Sequence, residues 1–154
     1  MEVLHLFQSE GHNFVGHHGQ PAGTNTINEV DQMECVGGRG IRGDRFFDHA
    51  DNFHGQITFF ANEVYQAISN ELKVSERPVS VFRRNVVTRG VDLNEFIGRE
   101  FEVQGIRFLG TEECRPCYWM NEAFGAGAKD ALKGRGGLRA RILSNGILRK
   151  DVEP

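Results

Sequence analysis

A single stretch of this chain has the spacing of a helix packed on one side: between Ala61 and Val74, Val64, Ile68 and Leu72 recur every fourth residue with Tyr65 beside them, and Pro78 closes the unit. Elsewhere the apolar residues come in short extended runs cut by glycines or turn dipeptides, a pattern that folds as a mainly β domain. Leu4 and Leu6, Val30 to Val36, Gln56 to Phe60 and Phe82 to Thr88 read as strands. Phe101 and Val103, the turn Gln104-Gly105 and Ile106 to Gly110 read as a hairpin. Leu138, Ala140 and Ile142 alternate with Arg139 and Arg141, and Asn145-Gly146 supplies a type I′ turn into Ile147-Leu148, a second hairpin. Asp92-Leu93-Asn94-Glu95 has capping-box spacing for one or two helical turns ended at Gly98. The expected fold is a closed or partly open β-barrel, which manages its strand edges, with one main helix and short helical turns.

A chain of 154 residues buries one core of ordinary size, so a single domain over 1–154 is expected. The net charge of -3 argues against a nucleic-acid module held by phosphate attraction. The start, Met1-Glu2-Val3-Leu4-His5-Leu6-Phe7, has no basic n-region and carries Glu and His inside its apolar run, unlike a secretory signal, and no stretch is long enough to span a bilayer. Three cysteines, two of them three positions apart, make a poor disulfide framework and fit a reducing, cytoplasmic setting. Of the 18 basic residues 14 are Arg, whose planar forks suit phosphate and other oxyanions as well as solvated surface. All six His fall between His5 and His54, several in a Gly- and His-rich loop from Glu10 to Asn28 that is long enough to suggest function.

Cys114-Arg115-Pro116-Cys117 admits four readings: a redox pair, half of a zinc site completed by Cys35 and histidines, two buried thiols, or a Cys117 thiolate held near guanidinium groups as a soft metal ligand or sulfur carrier. In Phe82-Arg83-Arg84-Asn85, Arg83 and Asn85 are two apart and on a strand would share a face, either protecting an edge or gripping a phosphate or polar heterocycle. Gly134-Arg135-Gly136-Gly137 is a flexible turn or an anion-binding nest with Arg135 above it. Asp44-Arg45 is an ion pair in a tight turn or a functional placement, and His54 is a satisfied polar residue or a proton donor beside a metal.

In this order the segments resemble the MOSC family, the C-terminal domain of molybdenum-cofactor sulfurases, along almost the whole chain. The matching pieces are Gly40-Ile41-Arg42-Gly43-Asp44-Arg45, Phe82 to Val87, Gly90-Val91-Asp92-Leu93-Asn94, Ile97-Gly98, Phe101, Cys114 to Cys117, and Gly134 to Ala140. The resemblance implies a β-barrel core and a molybdopterin-type cofactor whose metal is ligated by Cys117. It also implies Arg83 and Asn85 at the pterin and its phosphate, Arg135 helping to hold that phosphate, and a motif position without a settled role at Asp44. Amidoxime-reducing members of the family have additional N-terminal loops at the cofactor; here the Glu10 to Asn28 loop is expected to substitute, through His12, Asn13, His17 and His18. The implied activity is reduction of small N-hydroxylated compounds, with His54 passing a proton and electrons arriving from a separate donor protein, since no flavin, haem or ferredoxin motif is present. The alternatives are a sulfur carrier loaded as a persulfide on Cys117 by a cysteine desulfurase, a cofactor-handling protein, and a binding module without chemistry.

Overall fold

The computed structural model describes residues 1–151; the last three positions of the expected single domain, 152–154, lie outside the described residues. The strands are β1 (Glu2–Gln8), β2 (Asn28–Glu29), β3 (Gln32–Val36), β4 (Gly40–Ile41), β5 (Ile57–Ala61), β6 (Val86–Arg89), β7 (Glu100–Val103), β8 (Ile106–Glu113), β9 (Leu138–Ile142) and β10 (Gly146–Arg149), and the helices are α1 (Asn62–Leu72), α2 (Trp119–Ala123) and α3 (Ala128–Ala131). Seven strands form a mixed sheet in the order β2-β1-β6-β5-β9-β8-β7, antiparallel except for the β5–β6 pair, and β10-β3-β4 form a second sheet. Mainly β is therefore correct, but the described strands do not close into a barrel: β2 and β7 remain the outer strands of the larger sheet.

Closure is replaced by packing. Val3, Leu6, Phe59, Val86, Phe108, Leu138 and Ile142 of the seven-stranded sheet share one core with Met33, Cys35 and Leu148 of the small one. On the opposite face of the larger sheet, Phe60 and Val87 pack with Ile68 of α1, Trp119 and Met120 of α2, and Leu132 after α3. β5 is buried at all five positions because it serves both cores, which is why, Thr58 apart, its sequence runs apolar without alternation. The parallel β5–β6 pair requires a crossover, and α1 supplies it; the helix lies within the expected span and ends where Lys73 takes a left-handed conformation.

The β7–β8 hairpin forms as expected, with Gln104 and Gly105 both at positive φ (52° and 80°) as a type I′ turn demands. Asp92 caps the turn of 3-10 helix Leu93–Phe96 by accepting a hydrogen bond from Asn94 N. Two expectations are corrected. β10 pairs with β3 and not with β9: the Asn145 side chain accepts a hydrogen bond from Gly37 N (2.7 Å), so Ser144-Asn145 hands the chain from one sheet to the other. Residues 79–82 form 3-10 helix, Arg83 ends it in the left-handed region (φ 57°), and the strand starts only at Val86. That turn changes which side chains share a face at the site below.

Candidate functional site

At the end of β8 the chain leaves the sheet at Cys114, whose N–H donates to the carbonyl of Gly137, the residue before β9 (2.7 Å). Cys114 to Cys117 then runs without a bend, and the Cys117 carbonyl accepts from Met120 N (3.0 Å) as α2 begins. Gly136 lies directly under this segment; a Cβ there would overlap the Cys114 carbonyl oxygen and meet Pro116 Cδ at 3.1 Å. Gly136 thus serves the close approach of the cysteine segment, while Gly134 has open space around it.

Cys114 is buried and Cys117 is exposed, and both line a cavity of about 320 Å³. Five arginines, Arg45, Arg83, Arg84, Arg115 and Arg139, line it as well, and no Asp or Glu does. One wall is aromatic: Phe46 stacks on Phe53 (5.4 Å between centroids), and the rings of His12, His49 and His54 continue the row. Among the described residues Arg115 makes no hydrogen bond or ion pair, while Arg84 Nε and Nη1 donate to Gly136 O (3.2 Å) and Phe82 O (3.0 Å). His54 Nε2 lies 3.0 Å from Glu112 Oε1 and 2.9 Å from Arg139 Nη1, half-exposed at the cavity.

Behind this surface sits a buried polar cluster. The Asp44 carboxylate is fully enclosed and accepts from Ser9 N (3.1 Å), Phe46 N (3.3 Å) and Arg45 Nη1 (3.1 Å). Arg45 Nη2 donates to Arg83 O (2.9 Å), and the guanidinium lies over the Phe46 ring at 4.9 Å. Burial lowers the Arg45 pKa, and Asp44 works against that shift. Arg83 is held down to about 10 by burial and then by Arg45, so it stays cationic at neutral pH. Its side chain donates to Ser9 Oγ (2.8 Å), Gly11 O (2.8 Å) and Asn25 O (3.1 Å), tying both ends of the Gly11 to Asn25 loop to the body. The loop then reaches across α2, with Phe14 stacked on Trp119 (5.2 Å) and Gly19 N donating to the Tyr118 hydroxyl (3.1 Å).

These contacts sort the expected site residues. Cys117, Arg83, His54, His12 and Asn13 do line the cavity, although the terminal nitrogens of Arg83 are committed to the loop. Asn85 lies outside the cavity lining: it is buried, its amide donates to Phe7 O (3.1 Å), and its Oδ1 accepts from Thr58 N and Thr58 Oγ1 (3.0 and 3.1 Å). Because Arg83 is left-handed, the neighbour that shares its cavity is Arg84, which sequence periodicity had passed over. Arg135 faces a separate hollow with Glu63, Asp92 and Asn94, and is held bidentately by Glu71 (2.9 and 3.1 Å). His17 lies outside the cavity lining and turns its Nδ1 to Pro21 O (3.1 Å); His18 packs on Tyr118. Asp44 anchors Arg45 from behind and is not itself at the cavity surface. Arg139 and Arg115 were visible only as one strand face of an alternating run and as a residue inside the cysteine motif.

The zinc reading loses its geometry. No three His, Cys, Asp or Glu converge as a metal-binding set among the described residues, and Cys35 lies in β3 within the shared core. Burial, and then Glu34, pushes the Cys35 thiol up to about 12, so it stays protonated at pH 8. Brief treatment of the native chain with iodoacetamide at pH 8 is therefore expected to add one adduct, at Cys117, with Cys35 and buried Cys114 modified only after unfolding; peptide mass spectrometry reads the positions.

No helix among the described residues is long and apolar enough to cross a membrane. A family model described as the MOSC domain matches residues 15–153. The crystal structure of the YUAD protein from Bacillus subtilis superposes with a TM-score of 0.74 at 18% identity, covering 97% of this chain and 91% of that one. YiiM from Escherichia coli gives 0.66 at 16% identity, covering 98% of this chain and 67% of that one. YiiM from Geobacillus stearothermophilus gives 0.68 at 11%, covering 96% and 70%. Among curated proteins none matches. At these identities the structures establish a shared fold, and the family model, spanning nearly all of the chain, establishes the rest: this chain belongs to the MOSC domain family.

Proposed function

We propose that the Cys117 cavity holds a molybdopterin-type cofactor with the Cys117 thiolate as the protein's ligand to molybdenum, and that the loaded protein reduces small N-hydroxylated compounds. The observation that carries this reading is one exposed thiol on a cavity lined by five arginines and no carboxylate. A single soft sulfur, with no converging set of further ligands, suits a metal that brings its other sulfur ligands with it on an organic cofactor. The guanidinium lining suits the anionic phosphate of that cofactor, and a cavity of about 320 Å³ is in the range for a small organic ligand. The association of the MOSC family with molybdenum-cofactor binding supports the same assignment.

Bound there, a molybdenum centre supplies two-electron chemistry at an N–O bond, which with two protons releases an amine or amidine and water. The remaining tasks fall to side chains. Arg115 and the free Nη2 of Arg84 are placed to hold anionic oxygens. Phe46 and Phe53 offer a flat apolar face that excludes water from one side of the cavity. His54, in contact with Glu112 and Arg139, is a group that can pass a proton between the cavity and solvent. A separate electron-donor protein completes the reaction.

The test is expression in a host that makes molybdopterin, comparing wild type with Cys117→Ala. Wild type is expected to carry molybdenum by elemental analysis and to reduce benzamidoxime with a chemical reductant; the variant is expected to lose both. Equal metal content and equal rates in the two proteins would remove the reading. The exposure of Cys117 favours a second one, a carrier that accepts sulfur as a Cys117 persulfide from a cysteine desulfurase. A mass gain of one sulfur at Cys117 after incubation with desulfurase and cysteine supports the carrier, and an unchanged mass excludes it.

A further inference from the structure

Of the three histidines on the cavity wall, His54 is engaged by Glu112 and Arg139, and His49 is exposed. His12 differs from both. Its Nδ1 is sealed from solvent with no hydrogen-bond partner, and its Nε2 makes no hydrogen bond among the described residues and is not sealed. The ring stands edge-on to Phe46 (4.9 Å, 76°) and His49 (5.7 Å, 62°) and lines the cavity with Cys117. Its backbone is fixed on both sides: Arg83 Nη2 holds the preceding carbonyl of Gly11 at 2.8 Å, and Asn25 Nδ2 donates to His12 O at 3.2 Å. An imidazole positioned this firmly with neither nitrogen used by the protein is poised for something outside the chain.

We propose that His12 is a direct ligand contact, a neutral imidazole whose Nε2–H donates a hydrogen bond to an anionic oxygen of whatever occupies the Cys117 cavity. The inference rests on reading that cavity as an anion site, and it assigns the tautomer from geometry. A proton on the sealed Nδ1 would be a buried donor with no acceptor, whereas an unpaired lone pair there is the smaller cost, so the single proton of the neutral ring belongs on Nε2. The charged and titratable groups around the ring are Arg45, His49, Arg83 and Asp44. Burial, then Arg45 and His49, lower the His12 pKa against the opposing pull of Asp44, and Arg83 lowers it further. At neutral pH the ring adds a directional donor to the cationic lining without adding another positive charge. That favours an oxygen already drawn in by the guanidinium groups.

The experiment uses the purified chain, inorganic phosphate as probe, and chloride at matched ionic strength as control. Nitrogen-15 spectra of the wild-type histidines are expected to show His12 as the Nε2–H tautomer, with its Nε2 signal moving on addition of phosphate and not of chloride. His12→Gln, whose amide nitrogen lies where Nε2 was, is expected to keep phosphate affinity. His12→Asn and His12→Phe are expected to lose about tenfold, the worth of one hydrogen bond to a charged oxygen. Wild-type affinity in His12→Phe, or an Nδ1–H tautomer in the wild type, overturns the proposal and leaves the anion cavity standing. If phosphate moves none of His12, His49 and His54 in the wild type, the anion-site reading falls and this proposal with it.

Discussion

Asp44→Ala is expected to destabilise the fold by about 3–5 kcal/mol, seen as a fall in Tm of about 10 °C. The carboxylate is wholly enclosed and is the acidic partner of Arg45, itself only 8% exposed at its side chain. Removing it leaves a buried guanidinium without its counter-ion, beside a second one at Arg83, and strands the Ser9 and Phe46 N–H donors. The Ser9 donor matters further because Ser9 Oγ also takes Arg83 Nη2, so the loss reaches the clamp on the Gly11 to Asn25 loop. Thermal unfolding measures the cost, and hydrogen exchange over residues 10–25 measures the loosening. If the charge imbalance is the cause, Asp44→Ala combined with Arg45→Met is expected to recover part of the stability, because it removes the orphaned cation as well. A double variant as unstable as Asp44→Ala alone would assign the effect to the stranded backbone donors instead.

Gly136→Ala is expected to cost about 2–3 kcal/mol and to displace the cysteine segment. The new methyl would enter the Cys114 carbonyl oxygen, a backbone atom pinned in place because Cys114 N is bound to Gly137 O (2.7 Å). Nothing flexible can yield there, so either β9 or the Cys114–Cys117 segment must move. Gly134→Ala separates sterics from backbone freedom. Gly134 has φ +80° with open space around its Cβ position, so that change meets only the left-handed penalty of about 1–2 kcal/mol and leaves Cys117 where it is. Unfolding midpoints of the two variants, with the iodoacetamide rate at Cys117, distinguish a moved site from a merely weakened loop. Equal alkylation rates in Gly136→Ala and wild type would mean that the segment does not depend on this close approach.

Local periodicity carried further in some elements than in others. α1 and the β7–β8 hairpin were readable because their determinants are neighbours in sequence: a stripe at Val64, Ile68 and Leu72, and a Gln104-Gly105 turn. Asn145-Gly146 carries an equally local signal, yet the Asn145 side chain is taken by Gly37 N from another part of the chain and β10 joins β3. Arg83 and Asn85 followed the same logic: two residues apart on a strand they would share a face, but the left-handed turn at Arg83 interrupts the strand and puts Arg84 at the cavity instead. Arg135 fell to Glu71, a partner 64 positions away that no spacing rule could name.

By itself the sequence determined the mainly β class, the main helix and the family, and it singled out Cys117, the exposed cysteine of the three, since each depends on patterns or motifs within a few residues of one another. Whether the sheet would close, and which arginines would meet Cys117, were decided only in three dimensions. Closure depends on whether β2 and β7 find each other across the whole sheet, and here the second sheet covers the core instead. The guanidinium lining depends on which carbonyls and carboxylates claim each Arg first: Asp44, the Gly11 and Asn25 carbonyls and Glu71 commit some of them, and Arg115 is left open to the cavity.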